Sequence, residues 1–297
     1  MNALESGFLL LTSQLGNPER KPLTVAQLKT LAIRVRREKS PEADRDITQQ
    51  DLVALGYSYE MAQRMIDLLN DRELLEYYLA KGRRYGCVPL TRAGTKYPHR
   101  VRNALGDESP GCIWALGDTT LLETPMISLV GSRDLCSDNR TFAEEVCRQA
   151  AKQGYTLISG NARGADRTAQ DACLEAGGNV ICVVADQLYK QKQNDRVLYL
   201  SEDGFDCAFS SQRALSRNRI IHSIGQITFV AQSSLHKGGT WSGTVKNLNC
   251  QWNPVFCFDD GSLAAKELAM MGAQPICTTD LQDFAALSAE NIHLIID

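Results

Sequence analysis

Between Cys207 and Phe258 the chain contains no aspartate or glutamate, although its formal net charge is -3. The same stretch holds Arg213, Arg217, Arg219, Lys237 and Lys246. A cationic patch of this kind in an acidic chain is local, and it suits a polyanion. Histidine is scarce. His99, His222, His236 and His293 are scattered, and none stands at an informative spacing from a nucleophile. The carboxylates near the glycine turns, Asp134 and Asp166, suit capping or arginine pairing, so no general acid–base pair emerges and the chain reads as a binder rather than an enzyme. The ten cysteines form no C-x-x-C pair and do not cluster with histidine. That excludes the usual zinc spacings and leaves reduced, mostly buried thiols in a cytoplasmic protein, with no metal or cofactor expected. No run approaches the ~18 apolar residues of a membrane span. Phe8 to Leu11 is too short, and too soon followed by polar residues, for a secretory signal.

What is present divides into three stretches. Residues 1–82 read as a small all-helical domain: Phe8 to Leu15 stops at Gly16-Asn17, and Thr24 caps Val25 to Arg36. The charged stretch Arg37 to Asp46 reads as a solvated loop. Thr48 with Asp51 forms a capping-box variant before Leu52 to Leu55. After Gly56-Tyr57, Ala62, Met65, Ile66 and Leu69 recur at helical spacing, and Leu74 to Leu79 continues as a further helix. Residues 83–125 read as a bridging extension, with extended pieces at Gly86 to Leu90 and Pro110 to Leu116 and core roles for Tyr97 and Trp114. From 126 to 297 strands and helices alternate: strands at 126–130, 155–159, 179–185, 226–231 and 254–258, helices at 139–153, 166–176, 213–223, 242–249 and 262–271. Short connections between them imply an α/β fold, a doubly wound, mainly parallel sheet covered on both faces.

The functional expectation rests on the turns of that sheet. Thr156 to Ser159 reads as a strand that stops at Gly160; Asn161, Arg163 and Gly164 follow, and Asp166 reads as the N-cap of the next helix. Strand, glycine turn and helix start together aim unpaired amides and the positive helix end at an anion. Gly131-Ser132-Arg133, directly after the strand 126–130, is a second such turn. Consecutive turns of a doubly wound sheet open on one edge, so two anion-facing turns with an arginine each point to a ligand with more than one phosphate. Arg213 and Arg217 share a helical face while Arg219 points elsewhere. One of the three is therefore available for internal pairing, for instance with Asp166, and the others for ligand. Lys237-Gly238-Gly239-Thr240-Trp241-Ser242-Gly243-Thr244 reads as a third cradle of amides and hydroxyls. Its lysine precedes the glycines, unlike a Walker A loop. Trp241 can stack on a base or wedge against the sheet.

Taken in order, these motifs resemble the DNA-processing protein A (Smf) family. Val130-Gly131-Ser132-Arg133 is similar to the family's V-G-S/T-R turn, Ser159 to Asp166 to its S-G-x-A-x-G-x-D, Arg217-Asn218-Arg219-Ile220-Ile221 to its R-N-R-I-I, and Ser242-Gly243-Thr244 to its S-G-S/T turn. The resemblance implies a Rossmann-like fold and single-strand DNA binding in DNA processing, natural transformation or recombination. It also implies loading of RecA and a homodimer. Asn161, Ala165 and Gly238 to Trp241 depart from the family pattern, as in a divergent branch. The family's usual C-terminal winged helix is not expected after Gly272-Ala273. Related folds bind small nucleotides or nucleotide-derived signals, and some hydrolyse nucleoside monophosphates through a P-G-G-x-G-T-x-x-E loop. Asn247 stands here where that loop has its glutamate.

Overall fold

The structure is a computed structural model that describes residues 1–38 and 46–290. Most of the loop expected over Arg37 to Asp46 lies outside the described residues. The chain forms two compact units, one of residues 1–115 with 202–207 and one of residues 116–201 with 208–297.

The first unit begins with five helices: α1 (Ala3–Thr12), α2 (Val25–Glu38), α3 (Gln49–Ala54), α4 (Tyr59–Asn70) and α5 (Arg72–Arg84). Local chemistry sets their starts. Asn2 with Glu5 and Thr48 with Asp51 form reciprocal capping boxes, and Ser58 caps α4 through the Met61 amide. Leu23, Leu52, Ala62, Met65 and Leu68 bury the apolar stripes in one cluster. Arg20 is buried there, pairs with Asp71 at 2.7 Å and donates to the carbonyls of Leu10, Ser13 and Leu68. β1 (Cys87–Thr91), α6 (His99–Leu105) and all but the last residue of β2 (Cys112–Leu116) complete this unit. Tyr97 and Trp114 are buried as expected; Tyr97 donates its hydroxyl to Pro110 O, and Trp114 packs on Tyr78 and Phe205.

The second unit is built on a parallel sheet. Its elements run β3 (Met126–Val130), α7 (Ser137–Lys152), β4 (Thr156–Ser159), α8 (Ala165–Glu175), β5 (Val180–Val183), β6 (Val197–Ser201), α9 (Ser211–Ser216), α10 (Asn218–Ile224), β7 (Ile227–Val230), α11 (Gly238–Cys250), β8 (Val255–Phe258), α12 (Leu263–Met270), β9 (Gln274–Ile276) and α13 (Phe284–Glu290). Across this unit the strand order is β6-β5-β4-β3-β7-β8-β9, and every pairing in it is parallel. The β3 to β6 series is laid down to one side and β7 to β9 to the other. The order reverses between β3 and β7, where Ile127 is in register with Ile227 and Val130 with Val230. Fully buried Ile127, Leu129, Leu157, Ile158, Ile181, Val183 and Phe229 explain the near-continuous apolar runs, since such a sheet is covered on both faces.

Three departures from the sequence reading bear on function. β6 and β9 were not expected as strands. The helix expected at 213–223 is broken at Arg217 into α9 and α10. The helix expected at 242–249 begins four residues earlier, so Gly238 to Trp241 form its first turn rather than a loop.

Candidate functional site

Ligands of open α/β sheets bind beyond the carboxyl ends of the strands, where strand order reverses. That point lies between β3 and β7, and a crevice of about 530 Å³ opens there. Val130 to Asp134 line it from β3, Gln232, Ser234 and Lys237 to Thr240 from the β7–α11 connection, and Ala162 and Asp166 from the β4–α8 turn. The fourth wall is Phe209, Ser211, Ala214, Leu215, Arg217 and Asn218, with Ile221 and His222 behind it.

The loops that form the crevice lock onto one another. Ser132 donates its amide to Gln232 O at 3.0 Å, Ala165 donates to Ser132 O at 3.0 Å, and the Thr240 hydroxyl donates to Gly131 O at 2.9 Å. Gly164 adopts φ 87°, and a Cβ there would run into the Arg133 backbone. Glycine is therefore required where the β3 and β4 turns touch.

Donors come chiefly from α11. The amides of Gly238, Gly239 and Thr240 head that helix and meet no acceptor among the described residues. They face the crevice with the positive end of a helix of 13 residues behind them. The β4–α8 turn contributes less than expected. Asp166 is the second residue of α8, not its N-cap, and its carboxylate takes the Ala162 amide at 3.1 Å, while the Ala165 amide is spent on Ser132.

The cations separate into distinct roles. Arg133 and Lys237 are exposed and pair with no carboxylate among the described residues. Arg163 is exposed and bridges to Asp134 at 2.8 Å; an exposed pair of this kind is worth less than about 1 kcal/mol, so a phosphate oxygen can displace the carboxylate. Arg217 borders the crevice and is held by internal partners. It is buried, donates to Val183 O at 2.8 Å and lies 3.9 Å from Asp166. The internal partner expected for Asp166 is thus Arg217. Gly160 lies under that guanidinium, and a Cβ would overlap it; Ser159 is fully buried beside it. Arg213 is also held internally, donating to Ala185 O, Ala208 O and Ser201 Oγ at 2.7 to 2.9 Å. Arg219 lies on α10 and does not line the crevice, whereas Asn218 does and donates to Gly239 O at 3.1 Å.

The third cradle is shorter than its sequence suggested. Trp241 is buried, edge-on to His236 with centroids 5.1 Å apart, which removes it as a stacking surface. Ser242 turns its hydroxyl back to Gly239 O. Gly243 packs against His222, and Thr244 is fully buried. These three sit in the second turn of α11, beyond the reach of its N-terminal amides. Asn247 is likewise internal, donating to Thr228 and Asn253.

Sequence reasoning missed the apolar wall. Phe209 and Leu215 line the crevice with 57% and 56% of their surface exposed. An aromatic, Phe209, inside the acid-free segment was the available signal. It also missed Lys190 and Lys192, exposed on the β5–β6 connection. That connection is joined to the β4 turn by Asn161 Nδ2 donating to Gln191 Oε1 at 3.2 Å, with Asn161 itself at φ 61°. Among the described residues no group of three His, Cys, Asp or Glu side chains could hold a metal ion, and no helix is long and apolar enough to cross a membrane.

A sequence model of the DNA recombination-mediator protein A family matches residues 89–286, about two thirds of the chain. The chain belongs to that family. Among curated relatives, DNA processing protein DprA of Streptococcus pneumoniae is 30% identical over 141 residues, covering 44% of this chain and 50% of its own length. That of Bacillus subtilis is 25% identical over 172 residues, covering 54% and 57%. The chain therefore spans about half the length of these curated relatives. The solved S. pneumoniae DprA structure has the same fold, with a TM-score of 0.71 over 95% of this chain and 96% of that one at 20% identity. DNA processing protein A of Helicobacter pylori, whose single-stranded DNA binding mode has been studied structurally, aligns with a TM-score of 0.57 at 25% identity over 69% of this chain and 96% of that one.

Proposed function

We propose that this chain binds single-stranded DNA in DNA processing, transformation or recombination, holding the strand without altering it. One observation carries this reading. The crevice brings the α11 amides and two cations, Arg133 and Lys237, none of them partnered among the described residues, together with exposed Phe209 and Leu215. Phosphates suit the amides and cations and a base face suits the Phe209 ring, which is the pairing of features that single-strand binders use. Both acids of the crevice are engaged, Asp134 with Arg163 and Asp166 with Arg217, so the field at the amides is cationic. Ligands of the related fold include small nucleotides, and the crevice volume would hold one. Lys190 and Lys192, on the loop tied to the β4 turn, supply cations beyond the crevice and favour a strand.

Titration of a labelled dT oligomer, beside thermal-shift screening against mono-, di- and cyclic nucleotides, tests this. Oligomer affinity that falls steeply with salt supports the reading; salt-independent affinity, or a thermal shift with nucleotides alone, rejects it. Following the family, we also propose hand-over of the strand to RecA and a homodimer in the cytoplasm. Leu263 and Met270, 70% and 81% exposed on α12, offer an apolar face to a second copy, which sedimentation can examine.

A further inference from the structure

Phe209 sits on a connecting segment, and such segments are ordinarily mobile. Here it is bracketed by one residue. Arg213 Nη1 donates to Ala208 O at 2.9 Å, immediately before Phe209, and the Arg213 amide donates to Ser210 Oγ at 3.1 Å, immediately after it. The same guanidinium reaches the sheet: Nη1 also donates to Ala185 O at 2.7 Å, just past the end of β5, and Nη2 to Ser201 Oγ at 2.9 Å, the last residue of β6. A planar fork can hold several oxygens in fixed directions, which a lysine ammonium cannot reproduce. Arg213 does not itself line the crevice, whereas its neighbours Ala214 and Leu215 do.

We propose that Arg213 is a positioning residue for base recognition: it fixes the Phe209 ring against the crevice by tying the Ala208–Ser210 segment to the ends of β5 and β6, and it touches no nucleic acid. The inference rests on the single-strand DNA reading. It separates two effects that a crevice arginine would otherwise combine. Loss of a phosphate contact lowers the salt slope by about 0.7 for single strands. Loss of stacking lowers affinity for bases and leaves the slope alone.

The experiment compares dT oligomers with abasic oligomers of equal length on the full chain, at several salt concentrations. The wild type is expected to prefer the dT oligomer by about tenfold, within the range of one base–aromatic stack. Arg213→Met is expected to reduce that preference to the level of Phe209→Ala, with an unchanged salt slope, and the double variant is expected to lose nothing further. Arg213→Lys keeps the charge and should resemble Arg213→Met. Retained base preference in Arg213→Met, rescue by lysine, or a reduced salt slope would each overturn the proposal. Fluorine NMR of a fluorinated phenylalanine at position 209 reads ring mobility with no ligand present. Broader ring motion is expected in Arg213→Lys, and unchanged mobility overturns the proposal. If the wild type binds neither oligomer, the DNA reading fails while the fluorine signal still decides the role of Arg213.

Discussion

Burial shifts the two ends of the Arg217–Asp166 pair in opposite directions, each against its own charge. Desolvation raises the Asp166 carboxyl against the opposing pull of the Arg217 guanidinium, and it lowers the Arg217 guanidinium despite the nearby carboxylate. At 3.9 Å the attraction only partly offsets the loss of water, so the pair holds geometry more than it adds stability. Displacing one partner is another matter, because a buried charge is then left alone. Gly160→Ala places a methyl group on the Arg217 guanidinium. It is expected to cost about 3 kcal/mol or more in urea denaturation. His222 gives a second prediction at this scale. It is fully buried, and burial lowers its pKa to about 4 from 6.5. The folded state holds the imidazole neutral, so the unfolded state binds the extra proton first. Its contribution is present above pH 6.5 and is lost as pH falls toward 4, by about 3 kcal/mol in all. Subtracting the pH dependence of a His222→Gln variant from that of the wild type should isolate this loss between those limits.

At the level of elements, α11 decides where the anion donors are. Lys237-Gly238-Gly239 reads as a loop because glycine is a poor helix former. Packing against α10, with Asn218 Nδ2 on Gly239 O, draws those residues into the first helical turn. Glycine at 239 also leaves room for that amide, since a Cβ would lie 2.8 Å from Asn218 Nδ2. Gly239→Ala is therefore expected to turn the Asn218 amide off Gly239 O and crowd the first turn of α11, weakening oligomer binding several-fold while changing the thermal midpoint little. Unchanged affinity would mean that this turn faces no ligand. The strands show the same division between pattern and context. β3, β4, β5, β7 and β8 were legible as apolar runs bounded by turn residues. β6 follows the polar run Gln191 to Arg196 without an intervening helix, and β9 has three residues including Pro275, so neither announces itself in sequence. The break between α9 and α10 at Arg217 lies within one apolar periodicity. The buried Arg217 guanidinium, donating to Val183 O and 3.9 Å from Asp166, sits at that break.

For the whole molecule, charge placement outweighs total charge. The chain is acidic overall, yet at the reversal of strand order Arg133 and Lys237 pair with no carboxylate among the described residues. The double variant Arg133→Ala/Lys237→Ala should lower the salt slope of dT binding by about 1.4, at about 0.7 per phosphate contact. Circular dichroism should find its fold intact, because both side chains are exposed.

By itself the sequence determined the alternation of strand and helix, the parallel sheet, the two glycine turns on one edge and the acid-free cationic segment. Apolar spacing, glycine and charge are local properties, readable without coordinates. Only the tertiary structure decided which donors remain unspent. It put Arg213 and Arg217 inside, turned Trp241 to the core and brought Phe209 to the crevice, because a side chain's partner is fixed by segments distant in the chain that packing brings within hydrogen-bonding reach.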